Sequence, residues 1–353
     1  MLSKINSLGC NIYIGNDSFS NLNELLSSNN YSKIIVIVDE NTEKYCLPLI
    51  NNFVKNYSLI KIESGEINKN IETCSFIWGE LNNINADRNS LIINLGGGVI
   101  CDMGGFVAST FKRGISFINI PTTLLSMVDA SVGGKLGVDF NNVKNLIGLF
   151  KQPSSIFINP LFFKTLEERQ FISGFAEVIK HALIFDCDYF KYINNSDIKT
   201  NDIINKIILK SVEIKNTVVT KDPEEKNLRK ILNFGHTIGH AIETLSLEKD
   251  EDPLLHGEAV AIGMICESYL SFKQCNLSKE ELNIVSNYIL KYFKKYQLHN
   301  KDYDKYFGLM QLDKKNNNDL VNFTLIGKIG EAIINQNSSK ELIIESLNFY
   351  NSL

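Results

Sequence analysis

The chain has 353 residues with 44% hydrophobic content, a length and composition typical of a globular protein with two domains. Its 36 basic and 40 acidic residues give a formal net charge of -4 with no basic stripe or tail, which argues against nucleic acids and anionic membranes as partners and favours small-molecule ligands. The seven cysteines form no C-x-x-C pair and no apolar run approaches the ~20 residues of a membrane span, so we expect a cytoplasmic protein without disulfide bonds.

Short apolar runs rich in β-branched residues recur through the first half of the chain and predict buried parallel strands. Helical patterns lie between them, around Asn70 to Leu81 and Cys101 to Thr110. Strands that alternate with helices in this way are typical of a doubly wound α/β sheet. The predicted strands are residues 33–38, 59–62, 91–95, 117–120 and 156–158.

The second half of the chain reads as a series of amphipathic helices, because apolar residues recur there at intervals of three and four. The change of period near Asn159-Pro160 predicts one domain over residues 1–160 and a mainly helical domain over residues 161–353. A polar loop at 313–319 is predicted to precede a final strand at 321–326. The main predicted helices are residues 171–185, 203–217, 231–245 and 258–272.

Three consecutive glycines, Gly96 to Gly98, directly follow a predicted strand and precede a predicted helix. Such a turn lets backbone N–H groups and a helix N-terminus approach a pyrophosphate, although the segment is not the G-x-G-x-x-G fingerprint and a tight turn without a ligand is the alternative. Other strands of the predicted sheet end at Asp39 with Asn41 and at Thr122 with Thr123. These polar groups share the edge where such sheets bind ligands, which favours a nucleotide site.

Three of the five histidines are clustered, as His236, His240 and His256. The first two are four residues apart, so on a helix they share one face, where they can bind a metal or a substrate. The alternative is a pair of hydrogen-bonded structural histidines. Glu177 and Lys180 share a face of another predicted helix. They form either a surface ion pair, the commoner case, or part of a catalytic zinc site with two histidines and one carboxylate.

Several cations lie near these segments. Lys135 and Lys144 occupy loops punctuated by glycine, and Arg113 and Arg229 lie near the same motifs. Loop lysines are usually solvated, so only their context makes them candidates. A site with this many cations is suited to a substrate that carries carboxylate and phosphate groups.

Taken together, six blocks closely resemble the 3-dehydroquinate synthase family, in the same order and across nearly the whole chain. They are residues 96–102, 121–135, 144–148, 174–180, 233–243 and 256–258. The resemblance implies a Rossmann-like NAD-binding domain with a parallel sheet over 1–160 and a mainly helical metal- and substrate-binding domain over 161–353. It also implies NAD, zinc with Co²⁺ as a substitute, and a homodimer.

The activity implied by the resemblance is the conversion of 3-deoxy-D-arabino-heptulosonate 7-phosphate to 3-dehydroquinate and phosphate, in the shikimate pathway. It proceeds by transient oxidation by NAD, elimination of phosphate, re-reduction and intramolecular aldol closure, so the enzyme is a lyase without net redox change.

Carried over by position, the resemblance implies that Glu177, His236 and His256 are the metal ligands and that Arg113 reaches the substrate phosphate from the neighbouring subunit. The implied substrate residues are Asp129, Lys135, Lys180, Arg229, Asn233, His240 and Lys314, with Lys315 as the alternative to Lys314. The implied NAD residues are Asp39, Asn41, Glu66, Lys69, Gly97, Gly98, Val99, Asp102, Thr122, Thr123, Leu125, Lys144, Asn145, Phe162, Thr165 and Leu166.

Two positions depart from the family pattern. Cys101 stands where the family normally has glycine, and Gln170 stands where some members have a glutamate that contacts the nucleotide. Three alternatives to the implied activity remain. They are another sugar-phosphate cyclase, acting on glucose 6-phosphate or sedoheptulose 7-phosphate, a metal-dependent polyol dehydrogenase, and an inactive nucleotide-binding scaffold. The cations Lys135, Lys180 and Arg229 argue against the first, because its substrates lack a carboxylate.

Overall fold

The computed structural model describes residues 2–141, 143–313 and 320–353. Their contacts divide the chain into two compact units. The first unit comprises the described residues of 1–171 and 204–220, and the second comprises those of 172–203 and 221–353. The functional division predicted at residue 160 stays a prediction.

A seven-stranded sheet forms the centre of the first unit. Its strand order is β1-β2-β9-β6-β5-β3-β4, in which β1 is antiparallel to β2 and every other pair is parallel. All five predicted strands are confirmed, as β3, β4, β5, β6 and β9. The strands of this unit are β1 (Ser3–Ser7), β2 (Cys10–Ile14), β3 (Ile34–Asp39), β4 (Tyr57–Ile62), β5 (Leu91–Gly96), β6 (Ser116–Pro121), β7 (Lys135–Phe140), β8 (Val143–Phe150) and β9 (Ser155–Ile158).

Two hairpins of the first unit were missed by the hydrophobic pattern. The pair β1–β2 adds an antiparallel edge to the sheet, and β7–β8 forms a separate two-stranded hairpin. The β1 strand is short and polar, and β8 is largely exposed, so neither shows the continuous apolar run of a buried strand.

Helices of the first unit connect the parallel strands. Both helices predicted there are confirmed, by α4 and α5. The long helix α5 packs closely on the sheet because it carries glycine at the contact: a Cβ at Gly104 would lie 2.0 Å from the buried side chain of Asn94. The helices before residue 160 are α1 (Ser18–Ser28), α2 (Glu40–Tyr45), α3 (Leu47–Ile50), α4 (Ile71–Asn83) and α5 (Gly98–Thr110).

The second unit is mostly helical. The remaining helices are α6 (Glu168–Phe185), α7 (Cys187–Asn194), α8 (Asn201–Lys221), α9 (His236–Lys249), α10 (His256–Gln274), α11 (Lys279–Tyr292), α12 (Tyr303–Asp313) and α13 (Lys340–Ser352). Most of α8 belongs to the first unit. The predicted final strand is confirmed as β10 (Leu320–Lys328), which pairs with an antiparallel β11 (Glu331–Ser339). Residues 314–319 of the predicted polar loop lie outside the described residues.

Three of the predicted helices in this half are confirmed, by α6, α8 and α10, but the helix predicted over 231–245 is wrong in its first turn. Leu228–Asn233 forms a 3-10 helix, and Gly235 then adopts a left-handed conformation with φ of 80°. The α-helix therefore begins at His236, because a left-handed residue ends one helical run before the next can begin.

Close backbone contacts fix the helices around this point. A Cβ at Gly263 in α10 would lie 2.0 Å from the carbonyl oxygen of Gly235, and a Cβ at Gly257 would lie 1.8 Å from that of Ser173 in α6. Only glycine permits these approaches, so α6, α9 and α10 meet almost backbone to backbone. Within the described part of the chain, no helix is long and apolar enough to cross a membrane.

Candidate active site

Three helices of the second unit bring together the predicted metal ligands. Glu177 lies in the middle of α6, while His236 and His256 open α9 and α10. The Nε2 atoms of His236 and His256 lie 3.5 Å and 3.7 Å from the same oxygen of Glu177, Oε1. Ligands held ~2.1 Å from a zinc ion in a tetrahedron lie roughly 3.4 Å from one another. The distances of both Nε2 atoms from Glu177 Oε1 therefore fit a zinc ion.

His240 lies beside the same cluster, one turn along α9 from His236. Ring nitrogens of His236, His240 and His256 all lie within 4.8 Å of one another, close enough to hold a metal ion as well. The ring centroids of His240 and His256 are 5.7 Å apart. Two sets of three donors thus share His236 and His256, one completed by Glu177 and the other by His240. The predicted set, with Glu177, stays a prediction.

The two shared histidines are both held through their Nδ1 atoms. Nδ1 of His236 lies 3.1 Å from the carbonyl oxygen of Phe234, and Nδ1 of His256 lies 3.1 Å from Oε2 of Glu243. Each contact favours the tautomer with the proton on Nδ1, which leaves a lone pair on Nε2 for a metal. Sequence reasoning missed Glu243, although its spacing from His236 and His240 already puts all three on one face of a helix.

The charges around the cluster act differently on the two histidines. Burial, helped by the positive charge of Lys180, holds the pKa of His236 well below its usual range, so this imidazole is neutral at neutral pH. Burial also acts to lower the pKa of His256, but the carboxylates of Glu243 and Glu177 outweigh it and raise that pKa to about 10. In the absence of a metal, His256 therefore carries a proton that a cation would have to displace.

A buried carboxylate fixes the start of the helix that carries His236. Glu267 of α10 accepts hydrogen bonds from the backbone N–H groups of Gly235, at 2.6 Å, and Ile238, at 3.1 Å. These are among the N–H groups that a helix N-terminus leaves without partners of its own, and Gly235 has no side chain with which to cap them. Glu267 was also missed from the sequence, because nothing local links it to residues so far away along the chain.

Lys180 and Glu177 form an ion pair within α6, and both side chains are about 1% exposed. The surface ion pair considered from the sequence is therefore wrong for these residues. Arg229, predicted to bind substrate, is also buried, and its Nη1 donates to the carbonyl oxygen of Pro223 at 2.7 Å. The Asp222 carboxylate accepts the backbone N–H of Arg229 at 3.0 Å, which holds the turn in place.

Asn233 lies at the end of the 3-10 helix that carries Arg229, in the same unit. Its side-chain amide donates to Oε1 of Glu225 at 3.1 Å. The second unit therefore contains Glu177, Lys180, Arg229, Asn233 and the three clustered histidines, which were all predicted to bind metal or substrate.

The first unit brings together a group of the residues predicted to bind NAD. Lys69 Nζ donates to Asp102 Oδ2 at 2.6 Å and to Asn145 Oδ1 at 2.7 Å, and Lys144 Nζ lies 3.2 Å from Glu66 Oε1. Three segments far apart in sequence therefore meet. Burial raises the pKa of Asp102, and Lys69 opposes that shift. Burial acts to lower the pKa of Lys69, but Asp102 and Glu66 outweigh it and raise that pKa.

The glycine turn leaves open the N-terminus of α5. Gly97 is the N-cap residue and has no side chain to cap the first N–H groups. A Cβ at Gly97 would lie 3.4 Å from the Thr123 side chain, and one at Gly98 would lie 3.3 Å from that of Ala130, so larger side chains at these positions would crowd those neighbours. The turn thus fits the phosphate-binding role expected of it.

Cys101, the departure from the family pattern in this segment, is buried, with its Sγ atom 3.8 Å from the carbonyl oxygen of Gly96. Its thiol therefore contacts the last residue of β5. Gln170, the second departure, is partly buried in α6.

Among the other residues predicted to bind NAD, Asp39, Thr122 and Thr123 lie at the ends of strands in the first unit. Asp39 ends β3 and caps α2 by accepting the N–H of Thr42 at 2.7 Å. The backbone N–H of Thr122, directly after β6, donates to Gly96 at 3.0 Å. Asn41, Val99, Thr123, Leu125, Phe162, Thr165 and Leu166 also lie in this unit, and Phe162 is buried while Asn41 and Thr165 are exposed.

The predicted substrate residues of the first unit have unlike settings. Asp129 pairs with the buried Lys215 at 2.7 Å, whereas Lys135 and Arg113 are exposed. Lys215 was not predicted from the sequence, although it lies on the apolar stripe of α8, where a solvated lysine is not expected. Lys314 lies outside the described residues.

Family models match most of the chain. One described as 3-dehydroquinate synthase N-terminal matches residues 59–173, and one described as 3-dehydroquinate synthase C-terminal matches residues 174–316. A 3-dehydroquinate synthase of Parabacteroides distasonis is 45% identical over 343 residues, which cover 96% of this chain and 97% of that protein. Another, of Nitratiruptor sp., is 43% identical over 289 residues, 82% of each chain.

Solved structures share the fold at lower identity. A 2-epi-5-epi-valiolone synthase from Streptomyces hygroscopicus, with NAD+ and Zn2+ bound, has a TM-score of 0.86 at 24% identity and covers 100% of this chain and 99% of its own. An iron-containing alcohol dehydrogenase of Thermotoga maritima has a TM-score of 0.69 at 12% identity, covering 99% of this chain and 100% of its own. These likenesses confirm the fold predicted from the sequence, while the family models and the near relatives decide the family. This chain belongs to the 3-dehydroquinate synthase family.

Proposed function

We propose that this enzyme converts 3-deoxy-D-arabino-heptulosonate 7-phosphate to 3-dehydroquinate and phosphate, with NAD and zinc as cofactors. The observation that carries the proposal is the convergence of Glu177, His236 and His256 at zinc-like spacing. It occurs in a chain that matches relatives named 3-dehydroquinate synthase along almost its whole length. Under this proposal the enzyme is a carbon–oxygen lyase that eliminates phosphate.

Zinc would be held by Glu177, His236 and His256, and NAD by the residues around the Gly97 turn and the Lys69–Asp102 pair. When bound, NAD supplies a reversible hydride acceptor and zinc supplies a Lewis acid for the substrate hydroxyl groups. The fit of the zinc site rests on donor spacing and on the Nδ1 contacts that leave both Nε2 atoms facing Glu177. The fit of the nucleotide site rests on the glycine turn at the N-terminus of α5, where side chains at Gly97 and Gly98 would crowd their neighbours.

The chain's own cations would bind and orient the substrate. Arg229 is buried, its backbone is held by Asp222, and its position is therefore fixed before a substrate arrives. Lys180 lies against Glu177, where its charge would stabilise negative charge that develops on a substrate oxygen. Asn233 would orient oxygen atoms through its amide. Lys135 and Asp129 of the first unit are also proposed as substrate residues.

His240 is proposed as a substrate residue rather than a metal ligand. The ring centroids of His240 and His236 are 5.2 Å apart. A substrate hydroxyl at the proposed metal site would therefore come within reach of an imidazole nitrogen of His240. The two ring nitrogens of an imidazole can accept and donate protons, which suits His240 to move a proton to or from a substrate hydroxyl.

Further parts of the proposal concern the setting of the enzyme. We propose a cytoplasmic homodimer in which Arg113 binds the substrate phosphate in the neighbouring subunit. Arg113 is exposed and its φ is 71°, an uncommon conformation for a residue other than glycine. Sedimentation of the purified protein tests the dimer, and a monomer would contradict it.

Phosphate release from 3-deoxy-D-arabino-heptulosonate 7-phosphate tests the activity. We expect release only when NAD is present, no net accumulation of NADH, and loss of turnover after treatment with a chelator. Accumulation of NADH with an alcohol substrate would favour a polyol dehydrogenase instead. No release with both zinc and NAD supplied would contradict the proposal.

A further inference from the structure

We infer that Glu243 is a positioning residue for the metal centre: its carboxylate holds the imidazole of His256 so that Nε2 faces Glu177 and His236. The inference rests on the proposed function in one respect, since it takes the Glu177–His236–His256 cluster as a metal site. Glu243 contacts the cluster through Nδ1 of His256, at 3.1 Å. It is therefore distinct from the three proposed ligands.

The position of Glu243 follows from helix geometry. It lies on α9 two turns after His236, and residues at this spacing share one face of a helix. The side chain of Glu243 is 4% exposed, so it is buried against α10 rather than solvated. A buried carboxylate is retained only where hydrogen bonds or opposite charges compensate its loss of hydration, and the imidazole of His256 is one such partner.

The two metal histidines differ in what holds them. His236 has a neutral acceptor, the carbonyl oxygen of Phe234, whereas His256 has the charged carboxylate of Glu243. An imidazole whose N–H bonds to a carboxylate is a stronger metal ligand and keeps a fixed ring orientation. A side-chain substitution can remove the support of His256, but none can remove a backbone carbonyl. Helix α9 thus supplies one ligand and orients another from the next helix.

The test compares zinc affinity of the metal-free protein across three variants. Glu243→Ala removes the acceptor, Glu243→Gln keeps an acceptor of the same shape without its charge, and Glu248→Ala removes an exposed carboxylate from the same helix as a control. Zinc dissociation constants are measured by competition with a chelating dye. Circular dichroism of each metal-free variant checks that it is folded, and the visible spectrum of the Co²⁺-loaded protein reports the geometry of the ligands.

We expect Glu243→Ala to weaken zinc binding by about 10- to 100-fold, the range for partners that orient a metal-binding histidine. Glu243→Gln should recover most of the affinity, because its amide oxygen still accepts from Nδ1. The Co²⁺ spectrum should change in Glu243→Ala and stay unchanged in Glu248→Ala. A general loss of helix stability would not produce this rescue or this spectral difference.

Unchanged zinc affinity in Glu243→Ala, or an equal loss in Glu248→Ala, would overturn the inference, as would a wild-type protein that binds no zinc. These outcomes are separable from failure of the proposed activity. If the wild type binds zinc but releases no phosphate, the activity is wrong, and the affinity series still decides the role of Glu243. If phosphate is released and Glu243→Ala binds zinc normally, only the inference fails.

Discussion

The two candidate sites are built in opposite ways. In the first unit, the polar groups already partner one another, since Lys69 binds both Asp102 and Asn145. In the second unit, a carboxylate oxygen and two imidazole Nε2 atoms converge on one another, and His256 carries a proton there in the absence of a metal. The difference teaches that the first site pairs its own charges, while the second gathers three donors that a cation can bind once that proton is displaced.

The largest effect is expected at the metal centre. His256→Ala should bind zinc more than about 100-fold more weakly, since loss of a ligand exceeds the loss of a supporting partner. His240→Ala should keep its zinc while losing turnover, because His240 is proposed to act on the substrate. Metal content of the purified variants, together with phosphate release, measures both. Equal loss of metal in the two variants would favour the three-histidine set instead.

The next largest effect is expected in the first unit, at the Lys69–Asp102 pair, in which Lys69 is buried and Asp102 is 18% exposed. Lys69→Met should lower the free energy of unfolding by up to about 3 kcal/mol, because it leaves a largely buried carboxylate without its cation. Denaturant unfolding measures this, with Lys61→Met as the control, since Lys61 pairs with Glu43 at the surface. An equal loss in both variants would mean that burial of the pair is unimportant.

The same variant should also show a characteristic dependence on pH. Burial raises the pKa of Asp102 in the folded state, and Lys69 opposes that rise. Without Lys69, the folded protein keeps a proton that the unfolded chain loses above about pH 4. Stability of Lys69→Met should therefore fall relative to wild type as pH rises from 4 towards neutrality. A deficit independent of pH would contradict this account.

A smaller effect is expected where α10 meets the start of α9. Gly263→Ala should cost about 1–3 kcal/mol, the usual range for overpacking, because its Cβ would lie 2.0 Å from a backbone oxygen that cannot move aside alone. The shift should also misplace His236 and weaken zinc binding. Thermal unfolding and zinc affinity measure the two effects, and wild-type values for both would show that the helices have room to separate.

The smallest effects are expected at two helical glycines whose surroundings are open. A Cβ at Gly79 in α4 or Gly308 in α12 would meet nothing within 4 Å. Alanine at either position should raise the free energy of unfolding by about 0.5–1 kcal/mol, because glycine is the poorer helix former. These variants are also the matched controls for Gly263→Ala. Destabilisation at either position would reveal contacts that the structure does not show.

Much of the fold follows from the sequence pattern. The five buried strands and the helices α4, α5, α6, α8 and α10 are visible as apolar runs and as apolar residues spaced at three and four. The hairpins β1–β2 and β7–β8 are not, because β1 is short and polar and β8 is largely exposed. The start of α9 was misplaced because helical spacing continues through the segment, whereas Leu228–Asn233 forms a 3-10 helix and Gly235 is left-handed.

The sequence by itself determined the family, through motifs that resemble those of its members, and the identity of the candidate ligands. Each motif is local, and its residue types carry their own chemistry. Only the tertiary structure decided that Glu177 and Lys180 are buried, that Glu243 holds His256 and that Glu267 caps α9. The contacts of Glu243 and Glu267 join different helices. They depend on how closely the helices approach one another. Close packing at glycines such as Gly257 and Gly263 sets that distance, and no local sequence pattern records it.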